Sequence, residues 1–427
     1  MLLKNIRFIL TNEHIIENCD ILIENNKIKS IKKNISTIDK EVIDCSNKII
    51  LPGLINLHLH GGMNILRGIS DDLELNEWLN TKIWPAEKKL NEKDIYYASL
   101  ISYFENLFSG TTTIVDAYFE IDSMKKAAEN SNIRAFLSPA IFNQNDIEKV
   151  KKNNFFLQKN NSKIKPFIFL HSIYATDKKT LNDTIDFCNK NNIIKAIHIS
   201  ETRNELIEIK NNTKLMPINY LLENNFFEKK SLLIHCIWLT KNEINLIKEK
   251  NTSIVHCPSS NMKLASGATL PLIECFNNNI NIGLGTDSAV SNNCLDLFNE
   301  LKLTALLQKH HRWDATVAKT NQIINMPFEN GAKALGIDNL GSIKENNLAD
   351  LISLNLNDFN LLDTDKNTLI SNIIYSANRS NVCDVIVDGK ILIKNKNLQT
   401  PILDFNGNEI SLEKLKDIVN EIKNKIL

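Results

Sequence analysis

The stretch Leu51-Pro52-Gly53-Leu54-Ile55-Asn56-Leu57-His58-Leu59-His60 decides how the rest of the chain is read. An apolar run that begins at Ile49 ends here in two imidazoles, two residues apart. Side chains on a strand alternate with period two, so His58 and His60 point to the same side. A neutral imidazole is a good ligand for Zn²⁺ or Fe²⁺. An isolated His-x-His is more often an ordinary pair of core or surface histidines. Distant partners are what make this one a candidate metal site.

Working outward, seven further apolar runs follow the first: Thr111–Val115, Arg134–Leu137, Pro166–Leu170, Ala196–Ile199, Leu232–Cys236, Thr252–Val255 and Ile280–Leu284. Stretches long enough for a helix separate them. Eight strand-helix units predict an α/β chain folded as a closed parallel (β/α)₈ barrel. The reactive side chains fall at the ends of these runs: Asp116, His171, His198 with Glu201, His235, His256 and Asp287. Of the nine histidines, only His14 and the His310–His311 pair lie elsewhere. Active sites of such barrels form at the carboxyl ends of the strands.

The two ends of the chain read differently. Alternation in Asp20–Ile23 and Ile28–Ile31, and again in Ala349–Leu354 and Val385–Lys390, suits half-buried strands. These segments are expected to pair into one small β-sandwich from residues 1–51 and 343–400. The barrel would then occupy 52–342 and a C-terminal helical segment 401–427. That last segment either caps the fold or joins copies into a homo-oligomer.

Composition narrows the function. Lys plus Arg and Asp plus Glu both number 50, for a formal net charge of zero. That balance points to a small, locally recognised ligand and away from nucleic acid. No run reaches eighteen apolar residues, and the N-terminus lacks the pattern of a signal peptide, so neither a membrane span nor export is expected. The expected compartment is the cytoplasm. The eight cysteines form no Cys-x-x-Cys pair, so they read as small buried residues. Cys236 and Cys257 neighbour strand-end histidines, and alternation would turn both thiols away from the barrel lumen.

His198 and Asp287 are the natural third and fourth ligands beside His58 and His60. The cofactor expected is one divalent metal, Zn²⁺ first and Fe²⁺ second. His235 is placed to accept or orient a proton of the metal-held water, with Asp287 alongside. Glu201, three residues past His198, suits a proton shuttle onto a ring nitrogen. The bland alternatives are a helix N-cap for Asp287 and a solvated helix-start charge for Glu201. The route expected is attack of metal-held hydroxide on an amine-bearing ring carbon, then loss of ammonia. Two-metal barrels bridge their ions with a lysine ending the fourth strand. Here that strand ends Phe169-Leu170-His171, so one metal is expected.

With these residues placed, the chain resembles the amidohydrolase superfamily, and within it the 5′-methylthioadenosine/S-adenosylhomocysteine deaminases. The resemblance runs from Lys4 to about Thr400. It is carried by HLHGGMNILRGISDDLELNEWLNTKIWPAEKKL from His58 to Leu90, and by HISET, HCPSSNMKLASG and GLGTDSAVSNNCLDLF. It implies metal ligation by His58, His60, His198 and Asp287, and a nucleoside substrate contacted by Glu87, Arg134, His171, Glu201 and Asp287. Glu87 would accept hydrogen bonds from the ribose hydroxyls, and Arg134 would reach the 5′ side. The activity implied is hydrolytic deamination of the adenine ring in 5′-methylthioadenosine, S-adenosylhomocysteine, 5′-deoxyadenosine or adenosine. About a dozen residues past Arg134, relatives often carry a second arginine. This chain has Gln144-Asn145-Asp146 there, and the lysines that follow lack an arginine's bidentate fork.

Two other readings compete. A mononuclear aminohydrolase acting on guanine, a related purine or an s-triazine would share the metal set but need no ribose-binding carboxylate. A barrel that had lost catalysis would be expected to lack ligands, and every position here is filled.

Overall fold

The computed structural model describes residues 1–36, 40–157 and 163–426. The eight apolar runs form strands Leu54–Leu59, Thr111–Tyr118, Arg134–Ile141, Ile168–Leu170, Lys195–Ile199, Ser231–His235, Ser253–His256 and Ile282–Leu284. They lie side by side in chain order and pair in parallel. A short strand, Ile164–Pro166, also pairs with the third.

The eighth strand meets the first largely through one side chain. Asn56 donates from Nδ2 to Thr286 Oγ1 at 2.8 Å, and its Oδ1 accepts from the Thr286 N–H at 3.1 Å. The Asp287 N–H donates to the His58 carbonyl at 3.0 Å. Gly285 permits the approach, since a Cβ there would stand 2.7 Å from the Cβ of His58.

Alternation along the strands sorts the core into two layers. Ile55, Leu57, Val115, Phe169, Ala196, Ile234 and Val255 gather in the lumen. Leu54, Ile114, Ile197, Leu233 and Ile254 instead face the surrounding helices. The helix Glu92–Phe108 shows why these segments are helical: Asn91 accepts from the Lys93 and Asp94 N–H groups, and Asp94 accepts from the Asn91 N–H in return.

The terminal segments form one continuously hydrogen-bonded, nine-stranded sheet, where two packed sheets were expected. Its own core includes Leu3, Ile6, Ile21, Ile50, Leu351 and Ile386. The run from Ile49 to Leu57 divides between the two sheets. Lys48–Pro52 pairs antiparallel with Leu351–Asn355, and Leu54–Leu59 enters the barrel. Gly53 marks the crossing, where a Cβ would lie 2.1 Å from Thr112 Oγ1.

The helix Leu412–Ile426 packs on its own chain. Leu415, Ile422 and Ile426 are buried, Lys425 Nζ meets Asp94 Oδ2 at 2.6 Å, and Lys89 Nζ donates to the Ile426 carbonyl at 2.9 Å. Among the described residues, no helix is long and apolar enough to cross a membrane.

Candidate active site

At the carboxyl end of the barrel, strand alternation alone aims His171 and His198 inward, in step with Phe169 and Ala196. The others need a local departure from regularity. The register of the first strand slips between Asn56 and Leu59, and this irregularity brings His58 and His60 in behind Leu57. His235 and Asp287 hold left-handed backbone, with φ of 72° and 60°. Such non-glycine conformations are costly and cluster at functional sites.

The result is a tight group of donors. His58 Nε2 and His198 Nε2 stand 3.1 Å apart, and Asp287 Oδ1 lies 3.4 Å from His58 Nε2 and 3.5 Å from His60 Nε2. Ligand atoms arranged tetrahedrally at about 2.1 Å from one cation would be roughly 3.4 Å apart, so these side chains fit a single metal ion. Burial lowers the His58 imidazole to about 4, partly offset by its hydrogen bond with Asp287, and holds His198 well below its ordinary value. Both rings are therefore neutral and able to ligate. His60 donates from Nδ1 to the Ala117 carbonyl at 2.7 Å, which leaves Nε2 free to face the group. Ser260 Oγ donates to Asp287 Oδ2 at 2.6 Å, and the Ser288 N–H donates to Oδ1 at 2.7 Å. Asp287 is thus a clamped carboxylate rather than a helix cap.

Glu201 adjoins this group, with Oε2 at 3.6 Å from His235 Nε2. Burial, then the Asp287 charge, raises its carboxyl to about 8, so it holds a proton at neutral pH. Its position depends on Glu205, whose carboxylate accepts from the Ser200 and Glu201 N–H groups at 2.9 and 2.8 Å. Sequence reading missed Glu205. Its spacing from Thr202 matches an ordinary helix capping pair, and Thr202 does cap that helix.

A cleft with about 660 Å³ of empty space opens above these groups. Glu87 reaches it from the segment after the first strand, held by the Tyr118 hydroxyl, which donates to Oε1 at 2.8 Å. Burial raises the Glu87 carboxyl to about 7, against the pull of that hydrogen bond. His171 lines the cleft stacked on Phe142, with ring centroids 4.5 Å apart. Met63, Trp78, Trp84 and Phe119 supply apolar wall to which the sequence reading gave no role. The acidic side chains lining the cleft are Glu87, Glu201 and Asp287; no lysine or arginine is among the described lining residues.

Arg134 does not belong to this site. It begins the third strand, at the opposite mouth of the barrel, roughly 23 Å from the strand's last residue at about 3.3 Å per residue. Its Nε and Nη2 donate to the two Asp350 oxygens at 2.8 and 3.0 Å, and Nη2 also reaches Asp388 at 3.2 Å. It ties the barrel floor to the terminal sheet. At the other end of its strand, Ala140 faces the cleft. Replacement Arg134→Ala strands the buried Asp350 carboxylate and should cost about 3–5 kcal/mol. Denaturant unfolding should show that loss, while KM of the folded enzyme stays unchanged; a raised KM at normal stability would return Arg134 to the substrate.

Alternation also corrects one cysteine. Cys236 packs on the outer layer as expected, but Cys257 lies in the lumen core, because its neighbour His256 points outward. His256 is 1 % exposed and neither ring nitrogen finds a protein partner. Asp116, at the end of the second strand, also points outward. It accepts from the Gly61 N–H at 2.7 Å and the Tyr103 hydroxyl at 2.6 Å, and so fixes the turn after His60.

The amidohydrolase family profile matches residues 49–392. A 5′-deoxyadenosine deaminase of Methanosphaera stadtmanae is 42 % identical over 394 residues, covering 90 % of this chain and 92 % of that protein. A 5-methylthioadenosine/S-adenosylhomocysteine deaminase of Thermococcus sibiricus is 38 % identical over 401 residues, covering 92 % and 94 %. Among solved structures, a zinc-bound adenosine deaminase from Xanthomonas campestris superposes with a TM-score of 0.92 at 24 % identity. That match covers 100 % of this chain and 98 % of the other, and it speaks to the fold.

Proposed function

The chain belongs to the amidohydrolase family, and we propose that it hydrolyses the adenine amine of adenosines carrying a small, apolar 5′ group. The products are the inosine analogue and ammonia. The observation that carries this reading is one arrangement: a donor group suited to a single metal beside the buried Glu201, under a cleft whose other acidic side chain is Glu87.

His58, His60, His198 and Asp287 would hold the cation, with Zn²⁺ as the metal proposed. Bound there, it would lower the pKa of a water to about 7 and supply a nucleophile at neutral pH. The protein's own groups do the rest. Glu201 gives its proton to the ring nitrogen next to the amine-bearing carbon, which makes that carbon open to attack. Asp287, its orientation set by Ser260 and Ser288, takes a proton from the water and passes it toward the departing amine. The water oxygen ends on the ring carbon, its second proton returns to Glu201 as the carbonyl forms, the exocyclic carbon–nitrogen bond breaks, and ammonia leaves. His171, neutral against Phe142, offers a hydrogen bond to the nucleoside.

Glu87 is the proposed acceptor for the ribose hydroxyls. Glu87→Ala should raise KM for 5′-deoxyadenosine about tenfold, the loss of one or two charged hydrogen bonds, while metal content stays normal. Steady-state kinetics settles this, and an unchanged KM would remove the assignment.

The acidic, aromatic wall suits a methyl or methylthio group better than an amino-acid carboxylate, which finds no cation there. Ammonia release on a substrate panel tests the whole reading. Turnover of 5′-deoxyadenosine and methylthioadenosine should exceed that of S-adenosylhomocysteine, and guanine and s-triazines should be inert. Preference for guanine or a triazine would overturn it.

A further inference from the structure

Five donor side chains, not four, crowd the barrel mouth. The Nε2 side of His235 faces the same Asp287 carboxylate as His58, and ligand atoms of these three residues all lie within 4.8 Å of one another. Taken by itself, that arrangement would admit His235 as a ligand. What separates it from the others lies on the far side of its ring. Asn261, 5 % exposed, places its side-chain amide nitrogen 3.0 Å from His235 Nδ1.

An amide N–H can only donate, so His235 Nδ1 must accept and the single proton of the neutral ring sits on Nε2. The other side of the ring agrees. The Asp287 carboxylate stands close by, so an N–H there meets negative oxygen whereas a lone pair would be repelled. The rest of Asn261 is consistent with the same orientation. Its Oδ1 has no protein partner, and Asn261 lines a second cavity with His256 and Thr269, whose side-chain polar atoms also lack one. A water in this cavity would have Asn261 Oδ1, His256 and Thr269 as polar partners. Asn261 sits just after Cys257-Pro258-Ser259-Ser260, on the helix whose Ser260 clamps Asp287. One short helix therefore orients two groups of the site.

We propose that Asn261 is a positioning residue that keeps the proton of His235 on Nε2, making that ring a hydrogen-bond donor to the cleft and barring it from the metal. The proposal rests on the aminohydrolase reading for its kinetic arm only; the tautomer itself is independent of substrate.

The decisive measurement is a long-range proton–nitrogen correlation spectrum of the zinc-loaded enzyme labelled with ¹⁵N-histidine. His235→Gln assigns the signal by its loss. The expected result is a protonated Nε2 with an acceptor Nδ1; a proton on Nδ1, or a metal-bound Nε2, overturns the proposal. Kinetics supplies a second arm. Asn261→Asp offers only acceptors and should move the proton to Nδ1, and Asn261→Leu should leave it unheld. Both should lower kcat about 10- to 100-fold, as outer-shell partners do, with KM within threefold of the parent. Near-parental kcat in Asn261→Asp would mean that His235 works as a base and would refute the donor role. Should the leucine variant fail to fold, the spectrum of the parent protein still decides.

Discussion

Asp287→Ala is expected to release the metal and to lower kcat by roughly 10⁴-fold, the upper end of what losing an acid–base group costs. Two losses coincide in this change. Asp287 Oδ1 is the only carboxylate oxygen within 3.5 Å of both His58 and His60 among the described residues, so its removal leaves three neutral imidazoles to hold a dication. Oδ2, fixed by Ser260, goes as well, and with it the proposed acceptor for the water proton. Metal content of the purified variant and its kcat are the two readouts. Stoichiometric metal with near-parental turnover would show that the ion, or the reaction, lies elsewhere. Ser260→Ala should produce a weaker version of the same effect, because the carboxylate stays but loses its clamp.

Glu201→Gln should separate chemistry from metal binding. Glutamine keeps the size of the side chain and removes its transferable proton, so metal stays stoichiometric while kcat falls about 10²- to 10⁴-fold. The raised value of Glu201, about 8, is what allows a carboxyl to act as donor at neutral pH. Two features of its surroundings produce that rise: full burial and the charge of Asp287. KM should change little, since the proton is needed when ring aromaticity breaks rather than when substrate docks. A variant with full metal and more than a third of the parental kcat would remove Glu201 from the proton path.

How much of this was legible beforehand follows from the range of each signal. Every apolar run became a barrel strand because strand identity is a local property of five to eight residues. The polar residues ending seven of the eight runs then marked the active mouth. Period-two alternation aimed His198 and His171 inward and put His58 and His60 on one side, yet it does not by itself account for how His58, His235 and Asp287 face in. There, a bulge or a left-handed residue re-aims the side chain. The same reasoning put Cys257 outside the lumen, because it assumed that the adjacent His256 faced in. Arg134 was misplaced for a different reason. A motif position shows which strand a residue belongs to, but only strand length and register show which end of the barrel it reaches.

The amino-acid order by itself therefore determined the architecture and singled out the proposed ligands and proton donor, since these depend on periodicity and on functional groups. Tertiary structure alone decided that two groups of three donors meet at His58, that Glu205 braces Glu201, and that Asn261 stands behind His235. Those facts depend on distances between segments dozens to hundreds of residues apart, where closure of the barrel brings together side chains that no local pattern relates.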